Sequence, residues 1–206
     1  MSKIERILGL DISTKTGFSV IVSGEKDFTL EAYGKIDKTS EPKEAYPGSY
    51  VTWAYQCFGK IIELIELHKP DVLVIEETAG GSKSAYSQKI LEFIHFLMAR
   101  YIKESGIKSV YYQTETWRRI VGCIMTKEEK ENNKKIKGLR KKNPDIKVIK
   151  NEKGKRIGKI GRKHVNVRRA NELFGKFLKE PLILADEDQA DGLLLAMAHI
   201  LSKKNG

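Results

Sequence analysis

Acidic residues gather where the chain enters one of its most apolar segments. The stretch "DEDQADGLLLAMAHI", residues 186–200, begins with four acidic side chains among its first six residues. One acid suffices to cap a helix, and acids in a first turn are favoured by the free N–H groups there. Asp191 lies beyond the first turn and shares a helical face with Asp188, three residues earlier. Helix capping therefore explains Asp191 poorly, and this stretch alone leaves both capping and a chemical role open.

Two more acidic residues end apolar segments that have the character of buried strands. Asp11 closes "RILGLD" and Glu76 closes "DVLVIE". An Asp can simply begin a turn after a strand, whereas Glu has no such role. Glu77 points to the opposite strand face from Glu76, so only one of the two can join Asp11. We favour Glu76, because it continues directly from the apolar strand, and we regard Glu77 as a solvated neighbour.

These acids suggest a particular chemistry if the two strands are adjacent. Asp11, Glu76, Asp188 and Asp191 would then converge, repel one another and raise one another's pKa. Divalent cations relieve such repulsion, and a set of oxygen ligands favours Mg²⁺ or Mn²⁺ over Zn²⁺. Two such ions can activate a water molecule and stabilise the leaving oxygen during attack on a phosphodiester. The four acids are therefore predicted to be catalytic metal ligands.

The basic residues are concentrated in one part of the chain. The net charge is +11 over 206 residues. Lys127–Arg169 contains 18 Lys/Arg and 5 Asp/Glu, a local 18 − 5 = +13, so the rest carries 11 − 13 = −2. Such a run can be a solvated, partly disordered loop, but Lys and Arg also bind polyanions by displacing counterions from phosphates. The residues predicted here to bind a polyanion, which the family resemblance described below implies to be DNA, are Lys134, Lys135, Arg140, Lys141, Lys142, Lys155, Arg156, Arg162 and Arg168.

The order of the elements predicts a mixed α/β sheet with helices on both faces. Short turns make strands near 7–10, 17–22 and 28–36 an antiparallel meander. A helix over 50–67 leads to a central strand at 72–75, and a helix over 86–104 leads to a strand at 108–114. Helices are predicted over 115–121, 163–178 and 188–203. No regular pattern is predicted over 126–161, apart from a hairpin pairing 145–150 with 155–160.

Length and composition limit the remaining possibilities. The 206 residues suit a single domain over 1–206, with a basic insertion at about 127–161. No apolar run is long enough to span a bilayer, so no membrane partner is expected. Cys57 and Cys123 lack ligand-like spacing and suit reduced side chains in a cytoplasmic protein. The chain is too short for the two-domain fold of actin-like ATPases and sugar kinases, so no nucleotide cofactor is expected.

Five segments together resemble the RuvC-type Holliday-junction resolvases of the RNase H-like superfamily, including bacteriophage members. They are "GLDISTKTGFSV", "PDVLVIEE", "TETWRRIVG", "RKHVNVRRA" and "DQADGLLLAMAHI", in this order. The resemblance implies an RNase H-like five-stranded sheet and an Mg²⁺-dependent endonuclease that nicks branched DNA, leaving 5′-phosphate and 3′-hydroxyl ends. It implies metal ligation by Asp11, Glu76, Asp188 and Asp191, and a role for Lys163 near the scissile phosphate. A phage-encoded member would act in the host cytoplasm.

The resemblance also implies a homodimer, because two symmetric nicks require two active sites related by a two-fold axis. The helix over 86–104 carries more apolar residues than one core face needs, and part of it is proposed as the dimer contact. A wholly buried core helix is the alternative. The apolar residues in question are Ile90, Leu91, Ile94, Leu97, Met98 and Tyr101.

Two departures from the family pattern affect how a junction would be opened. Ala79 stands where bacterial members can carry an aromatic residue. The loop "GGSKSAY" could substitute, with Lys83 near phosphate and Tyr86 stacking on a base, or it could be a simple linker. The second departure is the basic insertion. The alternatives to a resolvase are another RNase H-like nuclease acting on flaps or RNA–DNA hybrids, and a non-catalytic junction-binding protein.

Overall fold

The computed structural model describes residues 4–36, 43–78, 85–142, 149–150 and 156–204. For Tyr86 and for residues 149–150 and 156–157 it describes the backbone only. Lys83, Ala79 and Lys155 lie outside the described residues, and so do the side chains of Tyr86 and Arg156.

The core of the fold is a five-stranded sheet of strand order β3-β2-β1-β4-β5. Strands β1 (Glu5–Asp11), β2 (Thr16–Ser23) and β3 (Phe28–Ile36) form the antiparallel meander. Strands β4 (Val72–Glu76) and β5 (Lys108–Tyr112) extend the sheet on the other side of β1 with parallel pairing. The predicted mixed sheet is therefore confirmed, with β1 and β4 side by side.

Helices cover both faces of the sheet. Helices α1 (Gly48–His68) and α2 (Ala85–Ser105) pack on one face. Helices α3 (Thr114–Ile120), α5 (Arg162–Phe174) and α6 (Glu187–Lys204) pack on the other, with a 3₁₀ turn at Leu184–Asp186 before α6. Side chains of β4 alternate between the two cores: Val72 and Val74 face α6, while Leu73 and Ile75 face α1 and α2.

Glycines allow α6 to lie directly on the sheet. A Cβ atom on Gly17 would lie 1.7 Å from the carbonyl oxygen of Asp188, and one on Gly9 would lie 2.6 Å from that of Gly192. The Ser19 hydroxyl donates a hydrogen bond to the same Gly192 carbonyl at 2.9 Å. Nearly all of α6 from Gly192 to Ile200 is buried. This contact fixes the start of α6 against the ends of β1 and β2.

The basic insertion differs from the prediction. A helix, α4 (Lys127–Lys142), occupies the segment for which no regular structure was predicted. Thr126 and Glu129 form a capping box at its start: the Thr126 N–H donates to Glu129 and the Glu129 N–H donates to the Thr126 hydroxyl. Asn133 bonds both backbone groups of Ile160. The "TKEE" capping signature was present in the sequence. The helix was nevertheless missed, because so charged a segment has too few apolar residues to show a helical hydrophobic pattern.

The structure also differs from the prediction in the length of the hairpin and in the end of helix α5. The hairpin is present as the short pair β6 (Ile149–Lys150) and β7 (Arg156–Ile157), and residues 143–148 and 151–155 lie outside the described part. Helix α5 ends at Phe174 rather than at 178, because the Phe177 N–H turns back to the Phe174 carbonyl and tightens the chain. Among the described helices, none is long and apolar enough to cross a membrane.

The contact of α6 with β2 makes a direct prediction for Gly17→Ala. The added methyl group would occupy the position of the Asp188 backbone, so we expect the free energy of unfolding to fall by about 2 kcal/mol or more. Urea denaturation measures it. Gly59→Ala in α1 is the control, because no atom lies within 4 Å of its added Cβ, and it should gain up to about 1 kcal/mol from helix propensity. Equal stability of Gly17→Ala and the unmodified chain would contradict this account.

Candidate active site

The sheet places Asp11 and Glu76 next to each other. Strands β1 and β4 are in parallel register up to the pair Leu10 and Ile75, and the next residue on each strand is the acid. Alternation along each strand turns both acids toward the face covered by α6. Glu77, by contrast, is exposed. The structure thus brings Glu76, rather than Glu77, to Asp11.

Helix α6 brings Asp188 and Asp191 to the same place. Gly17 pairs with Asp11 across β1 and β2, and its lack of a side chain lets the Asp188 backbone approach. Asp186 does not cap α6, since its carboxylate accepts a hydrogen bond from the Ile183 N–H of the preceding 3₁₀ turn. Asp188 lies in the first turn of α6, where an acid is favoured, but Asp191 lies beyond that turn, so a helix-terminus role does not account for Asp191.

The electrostatics show how close the four acids are. Burial raises the pKa of Asp11 well above its usual range, and the carboxylates of Asp191, Glu76 and Asp188 raise it further. Burial raises the pKa of Asp191 to about 7, and its neighbours Glu76 and Asp188 add to the shift. The pKa of Asp188 is also raised, first by burial and then by Glu187. The site concentrates negative charge that the fold alone does not neutralise.

Several donors hold individual acids in place. The Thr114 hydroxyl and the Trp117 indole N–H, both from α3, donate to the two oxygens of Glu76, the latter at 2.7 Å. Asn166 of α5 donates to Asp191 at 2.6 Å. The Arg118 side chain, on a residue only 8% exposed, lowers the pKa of Asp191 by its positive charge. These residues fix the orientation of Glu76 and Asp191.

The chemistry of the four acids suits Mg²⁺ or Mn²⁺, although the acids do not form a complete cage around one ion. All four acids supply oxygen, and their mutual repulsion is what a divalent cation would relieve. In the described ranges, no three His, Cys, Asp or Glu side chains are close enough to hold one ion together. The raised pKa values of Asp11 and Asp191 show that the acids interact electrostatically, but they do not show that the acids surround a single ion. Mg²⁺ commonly takes one or two carboxylates and completes its shell with water and phosphate oxygens, which this arrangement permits.

The predicted basic residues whose side chains the structure describes differ in where they lie and in what they contact. On α4, the side chains of Lys134, Lys135, Arg140, Lys141 and Lys142 are all exposed. Lys163 forms an ion pair with Glu187 at the start of α6, and its charge lowers the pKa of Asp11, so it lies beside the acids. Arg162 is exposed and pairs with Glu115 at 2.8 Å.

Arg168, which was predicted to bind DNA, already bonds three groups of the protein. Its guanidinium donates to Glu129 of α4 at 3.0 Å, to Glu172 at 2.6 Å and to the Ile124 carbonyl at 2.8 Å. A guanidinium engaged in three directions joins α4 to α5 and has little capacity left for phosphate. This geometry assigns Arg168 a structural role.

Sequence reasoning missed four residues of this site: Thr114, Trp117, Arg118 and Asn166. Trp117 is fully buried in the core, and its indole N–H also holds Glu76. The signal was available in principle, because Trp117 and Asn166 both lie in segments that carry the family resemblance. Their hydrogen bonds, however, depend on tertiary packing.

The raised pKa of Asp191 predicts how the metal-free protein depends on pH. An acid whose pKa rises on folding penalises the folded state increasingly as pH rises from its ordinary value of 3.8 to about 7. Asp191→Asn removes this penalty. We expect the variant to melt several degrees above the unmodified chain at pH 8 in EDTA, and the difference to shrink toward pH 4. Thermal unfolding followed by circular dichroism measures this.

Asp27→Asn is the control, because Asp27 is exposed in the turn between β2 and β3. It should show no pH-dependent gain. An Asp191→Asn variant that melts at or below the unmodified chain at pH 8 would show that this carboxylate is not under electrostatic stress.

Comparison with known proteins identifies the fold. No family model matches the chain, and no curated protein is significantly similar in sequence. Solved structures do match. RuvC of Thermus thermophilus in complex with a Holliday junction substrate superposes with a TM-score of 0.63 at 12% identity, covering 98% of this chain and 96% of that chain.

Two further solved structures have a similar fold. A second Thermus thermophilus RuvC structure gives a TM-score of 0.62 at 15% identity, with 98% and 96% of the two chains covered. The yeast mitochondrial Holliday junction resolvase gives 0.50 at 16% identity, covering 97% of this chain and 81% of that one. This chain has the RNase H-like fold of the RuvC-type resolvases.

Proposed function

We propose that this chain is a metal-dependent endonuclease that resolves Holliday junctions and other branched DNA. It would hydrolyse phosphodiesters by paired nicks, leaving 5′-phosphate and 3′-hydroxyl ends. The observation that carries the proposal is the cluster of Asp11, Glu76, Asp188 and Asp191 at one end of the sheet, where burial and mutual repulsion raise the pKa of three of these acids. The likeness in fold to junction resolvases supports the choice of substrate.

The acids would hold two Mg²⁺ or Mn²⁺ ions, which supply water activation and stabilise the leaving oxygen of an in-line displacement. Thr114, Trp117 and Asn166 keep Glu76 and Asp191 in fixed orientations, so little reorganisation is needed on loading. Lys163 and Arg118 place positive charge beside the acids. A scissile phosphate entering the site would compete with Glu187 for the Lys163 ammonium, which is free to move because its side chain is 66% exposed.

The exposed cations of α4 would bind the arms of the junction. Six of the last nine residues of this helix, from Lys134 to Lys142, are basic and none is acidic. The helix is anchored to the domain through Asn133 and through the Glu129–Arg168 ion pair. A fixed row of positive charge gives affinity for phosphates without base contacts.

The active unit would be a homodimer, as two symmetric cuts require. The structure changes which residues are candidates for the contact: Ile90, Ile94 and Met98 are buried in the core, while Phe96 is 67% exposed and Phe93 is 38% exposed. Helix α2 is therefore not wholly buried. With Tyr55 of α1, 56% exposed, these rings form an apolar surface of the kind that marks protein contacts.

The proposal is tested by cleavage of four substrates with and without Mg²⁺: a four-way junction, a flap, a linear duplex and an RNA–DNA hybrid. We expect Mg²⁺-dependent cutting of the junction in preference to the others. Asp11→Asn and Glu76→Gln should reduce cutting by a factor of about 10³ or more, because each removes a charged ligand, while junction binding in a gel-shift assay persists.

Glu77→Gln is the matched control for Glu76→Gln, since Glu77 is exposed beside it, and it should cut normally. Preferential cutting of flaps or hybrids would assign the chain to another RNase H-like activity. Binding of the junction without cutting under any metal would make it a junction-binding protein. Light scattering of the same preparation tests the dimer, and a monomer in complex with the junction would contradict it.

Charge removal on α4 predicts a change in salt dependence. Replacing Arg140, Lys141 and Lys142 together by Gln should weaken junction binding, and the slope of log K against log[salt] should fall by about 0.9 for each lost phosphate contact. The control removes the same charge from exposed positions away from both α4 and the proposed dimer contact, by replacing Lys26, Lys108 and Lys179 with Gln. Fluorescence anisotropy from 50 to 300 mM salt measures both. Equal effects of the two triple variants would show that only net charge matters.

A further inference from the structure

A buried asparagine on α5 contacts the acidic site. Asn166 is 2% exposed and lies between Val165 and Val167, which are also buried. Its Nδ2 donates to Oδ1 of Asp191 at 2.6 Å. A side-chain amide in such apolar surroundings is costly unless its polar atoms are hydrogen-bonded.

The other half of this amide has no partner. Asn166 Oδ1 is one of the few buried side-chain polar atoms in the described part of the chain that form no hydrogen bond. A role in packing alone would be served better by an apolar residue of similar shape, which would leave no acceptor unsatisfied. The free oxygen therefore needs an explanation other than stability.

Two other asparagines show what a structural role looks like in this protein. Asn133 uses both ends of its amide on the backbone of Ile160. Asn171, on the same helix as Asn166, does the same with the backbone of Leu182. Among the described residues, the Asn166 side-chain amide bonds no backbone group, and its one partner is Asp191, a candidate metal ligand. Its oxygen forms no hydrogen bond with them.

We propose that Asn166 is a positioning residue for cation binding. Its Nδ2 fixes the plane of the Asp191 carboxylate by binding one oxygen, which leaves the other oxygen for the cation. Its Oδ1 accepts a hydrogen bond from water that enters the site with the cation, so the amide is fully satisfied only when the site is loaded. The inference rests on the proposed cation-binding role of the acids, and it adds a residue that acts through one of them. Such supporting hydrogen bonds commonly change metal affinity by 10–100-fold.

The test compares Asn166→Leu with Val167→Ala on the full chain. Leu preserves the approximate shape of Asn and removes both the donor and the acceptor. Val167 faces the hydrophobic core, so its truncation loosens α5 without touching Asp191. Calorimetric titration with Mn²⁺, without DNA, gives the affinity of the site independently of cleavage. The Mg²⁺ concentration for half-maximal junction cutting is the second measurement.

We expect Asn166→Leu to bind Mn²⁺ at least ten-fold more weakly and to need at least ten-fold more Mg²⁺ for half-maximal cutting, with most of the maximal rate restored at saturating Mg²⁺. Val167→Ala should keep the affinity of the unmodified chain. Val167→Ala distinguishes positioning from a folding defect, because bound metal would also restore a variant that is only destabilised. Asn166→Ala is measured alongside, so that the comparison survives if the Leu variant does not fold.

An unchanged Mn²⁺ affinity in the Asn166 variants would overturn the inference, and so would an equal loss in Val167→Ala. Failure of the unmodified chain to bind Mn²⁺ would overturn it together with the cation part of the proposed function. If the unmodified chain binds Mn²⁺, the Asn166 variants bind it weakly, and no branched substrate is cut, the inference stands and the proposed nuclease activity fails.

Discussion

The site exists because a helix backbone lies in direct contact with a strand. Gly17 on β2 and Gly192 on α6 let the two elements approach so closely that a Cβ on either would overlap the other's backbone. This contact brings the first turns of α6 to the ends of β1 and β4, and with them Asp188 and Asp191 to Asp11 and Glu76. Any residue larger than glycine at position 17 would hold α6 away. The distance between acids from distant parts of the chain is thus set by backbone packing rather than by attraction between the acids.

That packing acts against electrostatics. Burial raises the pKa of Asp11, Asp188 and Asp191, and neighbouring carboxylates, Glu187 in the case of Asp188, raise it further, so the fold holds together groups that would separate if free. The surrounding structure compensates only in part: α3 supplies two donors to Glu76, and Asn166 supplies one to Asp191. A fold selected for stability alone would replace such acids by neutral residues. Their presence in this buried cluster is the observation on which the proposed cation binding rests.

The sequence predicted the features that local patterns determine. Apolar runs and alternation located all five strands of the main sheet, whereas the adjacency of β1 and β4 entered only as a condition, which the structure meets. The acids were found because carboxylates at the ends of buried strands lack a structural reason. Helix α4 was missed because Ile136 is its one buried residue, and its anchors, Asn133 and the Glu129–Arg168 pair, are tertiary contacts. For the same reason Arg168 was interpreted as a DNA ligand, and the hydrogen bonds of Trp117 and Asn166 were not foreseen.

Helix α5 connects the two oppositely charged parts of the molecule. On one side it is tied to the basic helix through Arg168 and Glu129, and on the other it contacts the acids through Asn166 and Lys163. A polyanion drawn to α4 would therefore bind a surface rigidly joined to the residues that orient Asp191. Lys163 and Arg118 lie beside the acids, but further cations there would neutralise the acids and compete with a metal ion for the proposed site. Helix α4 carries eight Lys/Arg and three Asp/Glu, a net charge of 8 − 3 = +5, so under the proposed function it would draw a polyanion to a surface one helix away from the acids.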